Sequence, residues 1–243
     1  MNELWIALRR YTGIMNSTYP LAIVGALIGE PVRATILVYL LDGLARTAGQ
    51  LAFTANISAQ SASAHLSKLV DGGLLSVQSS GRHRYYSLAG PEVARALETL
   101  GAISTRPRPA DARRSLPSED MYTARSCYDH LAGRVAVELA QALEERKIVR
   151  SQGEADYELG SAGRDWFARL DIDVDEIRRS RRHFARKCVD WTERRPHIAG
   201  ALGAALCSRL VTLGWIARRR DTRALRLTTE GARKLRAHFG LTL

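Results

Sequence analysis

Residues 58–71 carry the pattern that most constrains the fold of this chain. Their apolar side chains recur at i, i+4, i+7 and i+8, which is the period of an amphipathic helix, at positions Ala62, Leu66, Leu69 and Val70. Ser58 stands where an N-cap would accept an unpaired backbone N–H, and Gly72 and Gly73 follow the last turn. The sequence therefore predicts a helix with one buried face and one polar face.

Shorter predicted elements flank this helix. Pro31 suits the first turn of a helix whose apolar residues lie four apart, and residues 47–55 suit a second, short helix. Residues 74–79 and 84–88 read as two strands with residues 80–83 at their tip. The order of two helices, the residue 58–71 helix and a hairpin is that of a winged helix-turn-helix, which places one helix in the DNA major groove.

The exposed side of this predicted fold supplies candidate DNA contacts. Small polar residues on the residue 58–71 helix would allow close approach to base edges, and basic residues at the hairpin tip would meet phosphates. The candidates are Ser58, Gln60, Ser61, Ser63, His65 and Lys68 on the helix, and Arg82, His83 and Arg84 on the wing. A net charge of +11 and a pI of about 10.1 favour double-stranded DNA or another polyanion as the partner.

These residues resemble the DNA-binding domain of ArsR-type repressors. The similar segments are EPVR at 30–33, the S-x-x-S-x-S-x-H-L-x-x-L pattern at 58–69, GLL at 73–75, and GR…YYSL at 81–88. They cover about a quarter of the chain. The resemblance implies a homodimer that binds a palindromic operator and releases it when a signal is sensed. Residues 91–103 are predicted to form a helix with Val93, Leu97 and Leu100 on one face. The resemblance implies that this helix, which follows the wing, helps to form the dimer.

Composition divides the chain further. We predict a mainly α fold with small β wings (α+β): a winged-helix DNA-binding and dimerisation domain at 1–103, a linker rich in Pro, Ser and Arg at 104–120, and a sensing or dimerisation domain at 121–243. Trp5, Ile6 and Leu8 suggest a short amphipathic helix. The chain lacks a signal-peptide pattern and a run of eighteen apolar residues, and its three cysteines argue against a disulfide framework, so we expect a cytoplasmic protein.

The second half contains an internal repeat. HLAG at 130–133 is echoed by HIAG at 197–200, with apolar residues at matching spacing afterwards, and each copy ends in a Gly-containing turn. Each copy reads as helix, strand, turn, strand, helix, with the first helices at 131–143 and 198–210. This order predicts a duplicated, winged-helix-like module sharing one core. Chance similarity between amphipathic helices is the alternative. The basic stretches 178–187 and 218–220 either contact phosphates or form solvated surface.

The signal that the protein senses is less defined. ArsR-type proteins often bind metals through cysteines before the recognition helix or through His in the last helix, but residues 45–50 lack Cys and His, and residues 91–103 lack His. Instead, Cys127, His130, Cys188 and His197 stand at matching ends of the two repeats, a donor set suited to Zn²⁺ or another thiophilic ion.

Three alternatives stay open for these residues. The two thiols could pair on oxidation, all four residues could be packing residues, or the signal could be a small organic effector in an aromatic pocket. Cys207, on an apolar stretch, is predicted to be a packing residue. The candidate pocket aromatics are Tyr128, Trp166, Phe167, Trp191 and Trp215.

An enzyme is not predicted. The chain has no HExxH, GxSxG or GK[ST] motif, and Cys127 and His130 lack a third orienting group at recognisable spacing. A sequence-specific transcriptional regulator is the function that the motifs favour. The alternative is a chromatin-like protein that binds nucleic acid without sequence preference.

Overall fold

The computed structural model describes residues 19–103 and 119–241, which divide into two compact units. The N-terminal unit comprises residues up to Tyr39 and Ala45–Ala89, and the C-terminal unit comprises Leu40–Leu44 and the chain from Gly90 onward. Residues 91–103, which the sequence analysis placed in the first domain, therefore pack with the second. The predicted helix around Trp5 and most of the predicted linker lie outside the described residues.

The N-terminal unit is a small helical domain with a three-stranded sheet. The antiparallel strand order is β1-β3-β2. Its elements are α1 (Tyr19–Ile28), α2 (Pro31–Tyr39), β1 (Arg46–Thr47), α3 (Ala48–Thr54), α4 (Ala59–Asp71), β2 (Leu75–Ser80) and β3 (His83–Leu88). The predicted helices and hairpin are confirmed, whereas α1 was not predicted.

Local signals fix the ends of the helix-turn-helix. Thr47 forms a capping box with Gln50 at the start of α3, and the Ser58 hydroxyl accepts the Ser61 N–H at the start of α4 (3.2 Å). Fully buried side chains of α2, α3 and α4 form the core of the unit, among them Ile36, Leu37, Leu51, Ala62, Leu66 and Leu69. The polar face of α4 is thereby turned to solvent.

The C-terminal unit is built from hairpins and helices. A 3-10 turn at Leu40–Asp42 and α5 (Pro91–Ile103) belong to it. Its further elements are α6 (Glu119–Thr123), β4 (Arg125–Cys127), β5 (His130–Ala132), α7 (Arg134–Glu145), β6 (Val149–Gln152), β7 (Asp156–Leu159), α8 (Gly163–Ala168), α9 (Val174–Arg179), β8 (Arg186–Val189), β9 (Pro196–Ala199), α10 (Gly200–Thr212), β10 (Ile216–Arg218), β11 (Leu225–Leu227) and α11 (Thr229–Phe239).

A similar order of elements occurs twice in the C-terminal unit. A helix, a hairpin and a helix occur as α7, β6–β7, α8 and again as α10, β10–β11, α11. Each copy also begins with a hairpin, β4–β5 or β8–β9, that the sequence analysis did not predict. The description of each copy as a winged helix remains a prediction.

Two corrections follow for the starts of the repeats. Leu131 and Ile198 were expected to open helices, but they lie in strands β5 and β9, and α7 and α10 begin later. Gly133 and Gly200 join strand to helix with positive φ angles of 87° and 80°. A Cβ at either position would come within 2.8 Å of a backbone oxygen, so the repeated glycine serves this tight junction.

The C-terminal unit contains more sheet than the predicted small wings. Strands β6-β7-β8-β9 form a four-stranded antiparallel sheet, so the unit is mixed α/β. One hydrophobic cluster runs through both repeats and includes Leu139, Leu143, Leu202 and Leu210, with Cys207 buried among them as predicted. In the described residues no single helix is long and apolar enough to span a membrane; α1 and the following helix pass that test only as a pair bent by 84°.

A buried ion pair ties the two hairpins together. The Arg125 guanidinium on β4 donates to Asp190, just after β8, at 2.8 Å, and both side chains are at most 1% exposed. The same Asp190 oxygen accepts the Gly133 N–H at 2.7 Å, and the other accepts from Thr192. The Arg125 charge and these donors hold the pKa of Asp190 well below its usual range despite its burial.

Removing one partner of this pair should destabilise the C-terminal unit strongly. Asp190→Asn leaves the buried Arg125 charge without its close counter-ion, so we expect a loss of about 3–5 kcal/mol in the free energy of unfolding. Urea denaturation followed by tryptophan fluorescence measures it. The matched control is Asp171→Asn, at an exposed carboxylate, which should change stability by less than about 0.5 kcal/mol. Equal losses in both variants would contradict the role given to the pair.

Candidate functional site

Helix α4 presents most of its predicted DNA contacts to solvent. Gln60, Ser63 and Lys68 are exposed and Ser61 is half-buried. Ser58 is exposed, but its hydroxyl is engaged in capping the helix. His65 differs from the others because it is half-buried, with Nδ1 3.3 Å from a carboxylate oxygen of Glu30. The freely accessible polar face is thus smaller than the predicted set.

The wing carries exposed positive charge at its tip. Ser80 pairs with His83 across the hairpin, which leaves Gly81 and Arg82 as a two-residue turn, with Gly81 at φ 57°. Arg82, His83 and Arg84 are all exposed. A hairpin tip with basic side chains and a glycine turn can approach a phosphate backbone closely.

The structure brings together the four residues that the sequence singled out in the C-terminal unit. Cys127 and His130 face each other across hairpin β4–β5, and Cys188 and His197 occupy equivalent positions across β8–β9. One ligand atom from each residue lies within 4.8 Å of the other three. Each hairpin therefore contributes one sulfur and one imidazole to a single cluster.

Each imidazole ring has a carboxylate nearby, within hydrogen-bond distance for His130 and beyond it for His197. His130 Nδ1 lies 3.3 Å from Asp129, and His197 Nε2 lies 3.9 Å from the buried Asp190. The opposite ring nitrogens, His130 Nε2 and His197 Nδ1, are buried and lack a well-formed hydrogen bond. A buried polar atom without a partner is costly, and a carboxylate behind the ring is the usual support for a histidine that binds a metal.

The surroundings of the cluster shift the pKa values of its four residues in different directions. Burial and the neighbouring His130 lower the pKa of His197 to about 4. Burial opposes charge on His130, but the adjacent Cys127 and Asp129 outweigh it and raise the pKa of His130. The contact with Cys188 and burial raise the pKa of Cys127, and the same contact lowers the pKa of Cys188.

Two residues beside the cluster were missed by the sequence analysis. Glu98 on α5 is buried, with Oε2 3.6 Å from the Cys127 sulfur and Oε1 2.8 Å from the Arg223 guanidinium. The sequence predicted an apolar face of Val93, Leu97 and Leu100 for this helix, whereas Ala94 and Glu98 are its buried residues. No local sequence pattern indicated that Glu98 would be buried, because its partners lie more than 25 residues away in sequence.

The aromatic residues proposed for an effector pocket serve mainly as packing. Phe167 and Trp215 are buried in the hydrophobic cluster, and Trp166 packs against it beside Phe167 and Phe239. Tyr128 is 65% exposed. These positions do not line one common cavity among those found in the described residues.

Comparison with known proteins identifies the class. A family model described as a helix-turn-helix domain matches residues 28–78. YdfF, an uncharacterized HTH-type transcriptional regulator of Bacillus subtilis (strain 168), is 41% identical over 223 residues, which cover 92% of this chain and 98% of YdfF. The HTH-type regulator CmtR of Mycobacterium tuberculosis (strain H37Rv) is 41% identical over 80 residues, which cover 33% of this chain and 67% of CmtR.

Solved structures match the N-terminal region. The cadmium metal-sensor CmtR from Mycobacterium tuberculosis is 35% identical and covers 37% of this chain and 98% of its own, with a TM-score of 0.29. The homodimeric winged helix-turn-helix domain of Mb0332 from Mycobacterium bovis, described as a possible ArsR-family regulator, is 29% identical and covers 35% and 82%, with a TM-score of 0.31.

The family-model match and the similarity to YdfF define a helix-turn-helix transcriptional regulator, in agreement with the DNA-binding fold that the sequence predicted. Because the similarity to YdfF extends over almost the whole of both chains, this chain belongs to the same family of regulators.

The low pKa of His197 predicts a specific dependence of stability on pH. His197 is neutral in the folded protein down to pH about 4, whereas an unfolded histidine takes up its proton near pH 6.5. Stability is therefore fully present above pH 6.5 and is lost as the pH falls through 4, by about 3 kcal/mol in total. Urea denaturation of metal-free protein across this range measures the loss.

The control separates this histidine from the others. His197→Gln should flatten the slope of unfolding free energy against pH in this range, whatever its effect at neutral pH. His183→Gln, at a half-exposed histidine paired with Asp156, should leave the slope close to that of the wild type. A slope unchanged by His197→Gln would show that the proton is taken up elsewhere.

Proposed function

We propose that this protein is a sequence-specific transcriptional repressor that binds a palindromic operator as a homodimer and responds to a thiophilic metal ion such as Zn²⁺. The observation that carries the proposal is the convergence of Cys127, His130, Cys188 and His197 in a chain whose other unit is an ArsR-type DNA-binding domain. The three free cysteines suit a reducing cytoplasm, where the ligand thiols would remain available.

The DNA-binding half of the proposal rests on α4 and the wing. Exposed Gln60 and Ser63 offer hydrogen-bonding groups on short or flexible side chains, which can reach base edges in a major groove. Exposed Arg82 and Arg84 offer positive charge, which attracts phosphates without requiring one particular arrangement of bonds. The helix would supply sequence preference, and the wing would supply affinity for any sequence.

Substitutions on these two elements should therefore have different effects. Ser63→Leu should weaken binding to the protein's own promoter by about 1–3 kcal/mol, because it removes a polar contact and adds bulk against the bases. Arg82→Ala should weaken binding to promoter and random DNA alike, and should lower the slope of log affinity against log salt by about one. Fluorescence anisotropy with both DNAs at several salt concentrations measures both effects.

Matched controls lie at exposed positions on two helices of the C-terminal unit. Ser208→Leu repeats the first substitution on α10, and Arg233→Ala removes an equivalent charge from α11; neither should change promoter affinity appreciably. If the wild type binds promoter and random DNA equally at matched salt, the protein is a non-specific nucleic-acid binder and the proposed function is wrong.

The sensing half of the proposal rests on the chemistry of the cluster. Two sulfurs and two imidazole nitrogens form a donor set that Zn²⁺ binds tetrahedrally, with Zn–S bonds of about 2.3 Å and Zn–N bonds of about 2.0–2.1 Å. Such bonds place ligand atoms roughly 3.5 Å apart, so contacts within 4.8 Å need only a modest contraction. The carboxylates behind both rings would hold the histidines in place.

Softer ions would compete for the same ligands. Thiolates bind Cd²⁺ and arsenite as well as Zn²⁺, and CmtR, which shares sequence with the N-terminal unit, is described as a cadmium sensor. Oxidation that joins Cys127 to Cys188 would be a different response from the same residues. Peroxide therefore belongs in the titration beside the metals.

Metal binding can be tested with Co²⁺ as a spectroscopic substitute for Zn²⁺. We expect one ion per chain, with the strong visible absorption of tetrahedral cobalt and charge-transfer bands from thiolate sulfur. The double variant Cys127→Ser, Cys188→Ser should lose both signals and any metal response of promoter binding. Cys207→Ala, at the cysteine outside the cluster, should keep them. Retained signals in the double variant would place the metal elsewhere.

A further inference from the structure

One arginine holds together the parts of the C-terminal unit that lead directly into the DNA-binding unit. Arg223 precedes β11, and its guanidinium donates to the Leu41 carbonyl at 3.1 Å and to Glu98 at 2.8 Å. Its backbone N–H donates to the Asp42 carbonyl at 2.7 Å. Leu41 and Asp42 lie shortly before β1, and Glu98 lies on α5, which begins three residues after the wing strand β3 ends.

The same arginine is bonded to the strand that carries Cys127. Its Nε and a terminal nitrogen donate to the Ser126 carbonyl at 3.1 and 2.9 Å, and the Ser126 N–H donates to the Arg223 carbonyl at 2.9 Å. Ser126 is the neighbour of Cys127. A displacement of this strand therefore changes the geometry of Arg223 directly.

Glu98 contacts both the Cys127 sulfur and the Arg223 guanidinium. Its Oε2 lies 3.6 Å from the Cys127 sulfur, and its Oε1 accepts from Arg223 while lying 3.6 Å from Arg125 Nε. A metal ion binds cysteine as the thiolate, which cannot donate a hydrogen bond to a carboxylate. Metal binding at Cys127 would therefore remove the hydrogen bond between the Cys127 sulfur and Glu98, and the Glu98 carboxylate would be released from this contact.

There is space for such a movement. A cavity of about 290 Å³ adjoins Glu98, Cys127 and Arg223, and is lined also by Pro91, Ala94, Arg95, Ser126 and Tyr128. Packed interiors switch between discrete arrangements rather than deforming gradually, and a cavity beside a charged pair allows a second arrangement without displacing other side chains.

From these contacts we infer that Glu98 and Arg223 are the residues that couple the metal cluster to DNA binding. The inference rests on the proposed function, and it adds the regulation of that site. Metal binding moves Glu98, Arg223 changes its bonds to Leu41 and Ser126, and both segments that lead into the winged helix shift. Only a difference in metal affinity between the two arrangements can produce a response at the DNA.

The test compares promoter affinity of the full chain with and without Zn²⁺. The wild type should lose about 5–150-fold in affinity when Zn²⁺ binds. Glu98→Gln keeps the shape of the side chain but removes its charge. The ratio of promoter affinity without Zn²⁺ to promoter affinity with Zn²⁺ should therefore fall toward one, while cobalt absorption and metal-free promoter affinity stay near the wild type. Glu92→Gln, at an exposed glutamate of the same helix, should keep the full ratio.

A second variant keeps the inference testable if Glu98→Gln does not fold. Arg223→Lys retains the charge but cannot bond to Leu41, Ser126 and Glu98 at once, so Zn²⁺ should no longer lower its promoter affinity. Arg220→Lys, at an exposed position, should keep the full loss of affinity with Zn²⁺. Hydrogen exchange of the wild type needs no substitution. Zn²⁺ should change exchange in residues 40–44 and 91–103.

The possible outcomes separate the two claims. A wild type that binds its promoter but ignores Zn²⁺, Cd²⁺ and arsenite contradicts the proposed metal response itself. If the wild type responds to the metal and Glu98→Gln or Arg223→Lys responds equally, the coupling through these residues is wrong. The proposed metal site is not contradicted by that result. Unchanged hydrogen exchange in both segments of a responsive wild type overturns it as well.

Discussion

The buried pair of Arg125 and Asp190 is the interaction on which the C-terminal unit depends. Two charges at most 1% exposed are stable only when each satisfies the other and the remaining hydrogen-bonding capacity is filled. Here Asp190 also accepts the N–H of Gly133, and Arg125 also donates to the Met121 carbonyl. The Arg125 Nε has no hydrogen-bond partner in the described part of the chain but lies 3.6 Å from the Glu98 carboxylate, which supplies a second negative charge. The pair thus fixes one hairpin against the other, and the four-residue cluster exists because the hairpins are held in that register.

The two short hairpins explain why the cluster has this composition. In each hairpin a cysteine and a histidine occupy directly opposed positions, where neighbouring Cβ atoms lie about 4.5–5.5 Å apart. One hairpin alone offers two ligands, which is too few for a stable structural or sensory zinc site. The two hairpins together supply four, so the cluster depends on both of them.

Sequence reasoning succeeded where the signal is local. Helices α2 and α4 follow from apolar spacing, and the cap at Ser58 forms as its chemistry requires. The convergence of Cys127, His130, Cys188 and His197 could be anticipated because the repeat places them at equivalent positions. The repeated pattern therefore allowed a prediction about residues that are far apart in sequence.

Sequence reasoning failed where the interacting residues are far apart in sequence. The hairpins β4–β5 and β8–β9 are only three or four residues per strand, too short for an alternating pattern to show, and their leading residues were assigned to helices. Glu98 seemed an ordinary polar position because its partners, Cys127 and Arg223, come from elements far along the chain. A buried carboxylate has no local signature, so its role emerges only from tertiary contacts.

The proposed metal site consists of two sulfurs and two imidazoles from the two hairpins around one ion. X-ray absorption spectroscopy of the zinc-loaded full chain tests this coordination most directly. We expect a four-coordinate shell with two sulfur atoms at about 2.3 Å and two nitrogen atoms at about 2.0–2.1 Å, and imidazole scattering beyond them. A shell of oxygen and nitrogen atoms without sulfur would contradict the claim, because it would place the zinc outside the cluster that the hairpins form.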